Sequence, residues 1–154
     1  MQPVAVTRPA SAVHVSDQAV PLGGAMWLAE AEVVPSAGPV HPGQAVTVRL
    51  HFVAARPLTA DYAVSLSLIG PDFRWQVRAD GTPAGGAIPT LKWIAGSRVT
   101  DTRTLTVPDD AAPGTATLAL VVYDSFAQAT LPVLGPAETA QGALVIGQVE
   151  VVAE

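Results

Sequence analysis

The chain has no cysteine, no asparagine and a single lysine, Lys92, beside seven arginines. Without cysteine there is no disulfide, no thiol nucleophile and no thiolate metal site. Export stays open to it, because 154 residues can bury a core without a covalent staple. The missing Asn and Cys, both thermolabile types, fit a thermophilic source, and a biased genome gives the same signature. Charge is scarce as well: 14% of residues carry one, against about 25% in an ordinary domain. The net charge is −5 and the basic residues are scattered, so the basic patch of a nucleic-acid binder is not expected. Hydrophobic residues make up 49% of the chain, yet no run approaches the ~18 apolar residues of a membrane helix. Membrane insertion by this chain is therefore not expected. Met1, Gln2 and Pro3 open it with neither a basic n-region nor an apolar h-region, and no signal peptide is read there. The sequence is also compatible with a piece excised from a larger protein.

What is present is punctuation and alternation. The chain has 14 Pro and 13 Gly, and between them lie short period-2 runs. Val46, Val48, Leu50 and Phe52 alternate with Thr47, Arg49 and His51. Tyr62, Val64, Leu66 and Leu68 alternate with Ala63, Ser65 and Ser67. Val99, Leu105 and Val107 lie in phase against Thr100, Thr102, Thr104 and Thr106, and Leu118, Leu120 and Val122 follow the same rule. A helix would need apolar residues at three- and four-residue spacing, and no long segment sustains it. "AMWLAEAEVV" is read as a strand in which Trp27, Ala29, Ala31 and Val33 share a face. "PGQAVTVRL" and "PGTATLALV" repeat one device, a Pro-Gly turn followed by a strand. The expected fold is all-β: an immunoglobulin- or fibronectin-like antiparallel β-sandwich of roughly seven to nine strands. Residues 1–20, with "VAV" and "AVHV", form a lead-in or edge strand, and 21–154 form a single domain.

The chemistry-bearing residues are sparse. His14, His41 and His51 show no metal-ligand spacing, so no metal site and no cofactor is expected. No G-x-S-x-G surrounds any serine, and "GTPAGGA" lacks the lysine of a phosphate loop, so no catalytic residue is assigned. Asp101 falls on the apolar face of its strand and needs a partner there. Arg103, or a backbone N–H of a neighbouring loop, could supply it; a calcium site with Asp80 or Asp124 is the alternative. Asp109 and Asp110 sit in a turn. In "DFRWQVRAD", Phe73, Trp75 and Val77 are read as pointing one way. Trp75 is then either a core residue or a sugar platform, with Arg78 and Asp80 taking hydroxyls at the same strand end.

One longer pattern runs from Leu22 to Val152. It comprises "VHPGQAVTVRLHF", "DYAVSLSLIGP", Asp80 and Pro83, then Pro89-Thr90-x-x-Trp93-x-x-Gly96-x-x-Val99-x-Asp101. It closes with "VPDDAAPGTATLALVVYD", "LPV" and "LVIGQVEV". In this order the chain resembles an extracytoplasmic β-sandwich found at the C-terminus of membrane glycosyltransferases. These are of the dolichyl-phosphate-mannose mannosyltransferase-like kind (family 39) in Chloroflexi-type bacteria; related surface proteins also carry the sandwich. Phe52 stands where that pattern has Trp, and "SFAQATLPV" lacks its Gly-rich turn. The resemblance implies a non-catalytic module outside the cytoplasm that binds or positions glycan, or packs on a partner protein domain. A purely structural or protein-interaction sandwich with no ligand is the alternative. It also implies that Trp93, Gly96 and Asp101 are architecture: Trp93 plugs the end of the sandwich, Gly96 turns the chain, and the next strand carries Asp101.

Overall fold

The computed structural model describes residues 19–35, 39–86, 88–135, 139–140 and 142–153. The strands are β1 (Val20–Leu22), β2 (Met26–Val34), β3 (Ala45–Ala54), β4 (Tyr62–Ile69), β5 (Gln76–Gly81), β6 (Arg98–Thr106), β7 (Gly114–Asp124), β8 (Thr139–Ala140) and β9 (Ala143–Val151). Helical structure among the described residues is limited to short 3₁₀ turns at Pro71–Phe73, Pro83–Gly86 and Thr90–Lys92. One sheet has the order β1-β2-β3-β6, the other β5-β4-β7-β9-β8, and their ladders are antiparallel. The chain crosses between sheets after β3, β5 and β6, which is the connectivity of a fibronectin-like sandwich. The expected fold is the fold observed.

Alternation builds the core. Val46, Val48, Leu50 and Phe52 from β3 meet Val64, Leu66 and Leu68 from β4 and Leu118 and Leu120 from β7, all buried. On β6 the buried residues are Val99, Asp101, Arg103 and Leu105, and the intervening threonines are exposed.

β2 departs from its sequence reading. A β-bulge between Leu28 and Glu30 leaves Ala29 as an extra residue in the ladder with β3. Such an insertion reverses the phase of the strand. Met26 and Leu28 face the core, and Trp27 does not share the face of Ala31 and Val33. Beyond the bulge Ala31 and Val33 pack inward, and Glu30 and Glu32 turn outward. β9 has a similar irregularity between Val145 and Gly147. The two irregular stretches line one cleft, with Val20, Leu28, Leu144 and Val145 in its wall. A short edge strand stands at Val20–Leu22; the lead-in or edge strand expected within residues 1–20, with "VAV", "AVHV" and His14, lies outside the described residues.

Two polar tethers hold the loops to this frame. Trp93 is 1% exposed, its Nε1–H donates to the Ile88 carbonyl at 3.0 Å, and its ring tilts against Phe52 at 6.4 Å between centroids. Three residues on, Gly96 adopts φ +88°, a left-handed turn that suits glycine, and donates to the Ala54 carbonyl. The second tether is Asp101. One carboxylate oxygen accepts the Ala84 N–H at 2.8 Å and the other accepts Arg103 Nε at 2.5 Å. Arg103 in turn donates to the carbonyls of Val64, Ala79, Gly81 and Thr82, stitching β6 to the opposite sheet.

Candidate functional site

The residues expected to form a sugar platform do not share a surface. The turn Pro71–Phe73 interrupts the strand, so Phe73 is exposed and out of phase with Trp75 and Val77. Trp75 is half-buried against the core, and its Nε1–H donates to the Ala112 carbonyl at 3.2 Å. Its indole lies on Gly70, where a Cβ would come within 2.4 Å of the ring. Arg78 and Asp80 sit on the opposite face of β5, paired at 3.1 Å, with Arg78 also donating to Ser65 Oγ at 3.3 Å. Trp75 therefore seals the sandwich, while the ion pair stands on the outside of a sheet edge. An exposed pair of this kind contributes at most about 1 kcal/mol, and charge on an open edge also deters strand addition.

The calcium alternative separates in the same way. Asp101 is buried and saturated, Asp80 pairs with Arg78, and Asp124 accepts the N–H groups of Phe126 and Ala127 at 2.9 and 3.0 Å.

A different group assembles on the outward face of the four-stranded sheet. Glu30 stands directly opposite His51, and Glu32 opposite Arg49. Thr100, from β6, stands opposite His51 on the other side. His51 Nδ1 is 3.1 Å from Thr100 Oγ1, and its Nε2 is 2.9 Å from Glu32 Oε1. Arg49 approaches the same Glu32 oxygen at 3.7 Å. The hydrogen bond from His51, helped by the charge of Arg49, holds the Glu32 carboxyl below the ordinary glutamate range. Ligand-capable atoms of Glu30, Glu32 and His51 all lie within 4.8 Å of one another. Trp27 stands on this outward side, opposite Val53, which is buried yet outside the main core. The sequence offered no local sign of this group, because His51 reaches the glutamates only through strand pairing.

The second feature is an apolar loop end. β3 and β7 finish and β4 and β6 begin at one end of the sandwich, which carries the loop residues 55–61, 82–86, 88–97 and 125–129. Ile88, Leu91 and Ile94 are exposed there, and Phe126 is 95% exposed. The loops are firmly braced. Thr90 Oγ1 accepts the Tyr62 N–H and donates to the Ala60 carbonyl, both at 2.9 Å. The Leu58 N–H donates to Trp93, Ile94 to Ser97 Oγ, and Ser125 to Asp61. Thr90 and Trp93 are buried, and Leu91 and Ile94, the residue after each, are exposed.

No protein-family profile and no curated protein matches the chain. Among solved structures it is similar to Spo0M, a sporulation control protein from Bacillus subtilis, with 16% identity and a TM-score of 0.44. The match covers 85% of this chain and 51% of that one, so the chain spans about half the length of this neighbour. A likeness of that size carries nothing about function.

Proposed function

We propose that this chain is a non-catalytic accessory module of the cell envelope, associated with a membrane glycosyltransferase of the family 39 kind, and that it works by docking a partner protein domain. The glycosyltransferase and the extracytoplasmic location come from the sequence resemblance. Between the two roles that resemblance leaves open, glycan positioning and protein packing, the geometry favours packing. The observation that carries this is the braced loop end with Ile88, Leu91, Ile94 and Phe126 exposed upon it. Exposed apolar side chains gathered at one place mark interaction surfaces. Loops already fixed by hydrogen bonds lose little freedom on docking. The glycan role, by contrast, rested on Trp75, Arg78 and Asp80 lying together.

The test is co-purification from detergent-solubilised envelopes of the source organism. The wild-type chain is expected to retain the glycosyltransferase. A variant combining Leu91→Asp, Ile94→Asp and Phe126→Asp, with an unchanged circular dichroism spectrum, should lose at least about tenfold of it, since 1.4 kcal/mol already gives that factor. Equal retention by the variant would overturn docking through this end. Binding of envelope oligosaccharides that survives in the variant would point back to the glycan role.

A further inference from the structure

We propose that Glu30, Glu32 and His51 form a binding site for a divalent first-row transition ion, with Zn²⁺ as its natural probe. One donor atom from each residue lies within 4.8 Å of the other two. Three ligands around a single zinc ion, each about 2.0–2.2 Å from it, lie up to about 4 Å apart. A small rotamer adjustment of exposed Glu30 and half-buried Glu32 and His51 closes that difference.

Three independent features point the same way. The first is the bulge at Ala29. Pairing without it would set Glu30 opposite Leu50, on the core side; the extra residue re-aims Glu30 opposite His51, and bulges recur where a side chain must be re-aimed for function. The second is Glu30 itself. Glu32 has His51 and Arg49 as partners, whereas Glu30 has no hydrogen bond or ion pair among the described residues. The Glu30 carboxylate, within 4.8 Å of the Glu32 carboxylate and His51, has its lone pairs free to take a cation. The third is Thr100. Its hydroxyl engages Nδ1 of His51 and so leaves Nε2 facing the glutamates. With a metal on Nε2 the Nδ1–H would donate to this hydroxyl, and outer partners of this sort hold the ring orientation of metal-binding histidines.

The donor set selects the class of ion. Calcium and magnesium prefer all-oxygen shells, whereas an imidazole with carboxylates suits zinc and its neighbours. Three protein ligands leave a fourth position for water or for a group from a partner. Arg49 is a competitor for Glu32 at this site, not a ligand.

Isothermal titration of the purified chain with ZnCl₂ decides the matter, with MgCl₂ and CaCl₂ as controls. The expected result is one saturable zinc site of roughly micromolar Kd and no comparable binding of Mg²⁺ or Ca²⁺. His51→Ala and the near-isosteric Glu30→Gln should each weaken it at least tenfold. His41→Ala should leave it unchanged, and Arg49→Gln should tighten it, because the competitor for Glu32 is gone. Thermal melts of every variant establish that it is folded before it is titrated. Absence of saturable zinc binding up to about 1 mM overturns the proposal. So does wild-type affinity in either His51→Ala or Glu30→Gln, which would place the ion elsewhere.

Discussion

Asp101 and Arg103 are both buried and paired with each other. Removing one charge strands the other, and losses of about 3–5 kcal/mol follow in such cases. Asp101→Ala should therefore lower the urea-unfolding free energy by roughly that amount. Replacing both with apolar residues of similar volume should recover part of it. A single mutant within about 1 kcal/mol of wild type would contradict the tether. Trp93→Ala should lose roughly 3–5 kcal/mol, as deletion of a core aromatic does. A mutant that melts like the wild type would contradict the role of the Trp93 ring as the plug of this end. At the surface, Glu32 should titrate below an ordinary glutamate in a carboxyl NMR experiment, and His51→Ala should return it upward. Because the folded value is lowered, the stability this contact gives is present above the ordinary carboxylate pKa. It disappears as pH falls through the lowered value.

The strands differ in how plainly their sequences announce them. β3 and β6 keep strict alternation from Val46 to Phe52 and from Val99 to Leu105, and in β7 the large residues Leu118, Leu120 and Val122 mark the core face although Ala119 is buried too. β2 misleads because alternation is read as if every residue occupied one ladder position, and the bulge at Ala29 breaks that rule. β5 misleads because Pro71 starts a turn, so "DFRWQV" is half turn and half strand. The bulge yields a paired test. Deleting Ala29 removes the extra residue and leaves Leu28 and Ala31 inward and Glu30 and Glu32 outward. That variant should fold. Deleting Ala31 forces one glutamate onto the core side in either register, and burial of an unpaired carboxylate should prevent folding. Cooperative thermal melts of both variants, or of neither, would contradict the assigned register.

At the scale of the whole molecule, the sandwich was readable because it rests on local alternation and turn chemistry. The surface groups were not, because Glu30 and His51 face each other only through strand pairing, and Leu91 and Phe126 lie on loops brought to one end by pairings distant in sequence. Circular dichroism should show strand with almost no helix; helix near the about 30% of an average globular domain would contradict the fold. The central functional claim is that this rigid sandwich makes its contact through one apolar end. Photo-crosslinking in intact cells tests it most directly, with a photoreactive side chain placed at 91, 94 or 126 and, for comparison, at 78 or 102. Crosslinks to a membrane glycosyltransferase are expected from the loop-end positions and not from the sheet-face positions. Crosslinks confined to 78 or 102, or none from 91, 94 and 126, would contradict it.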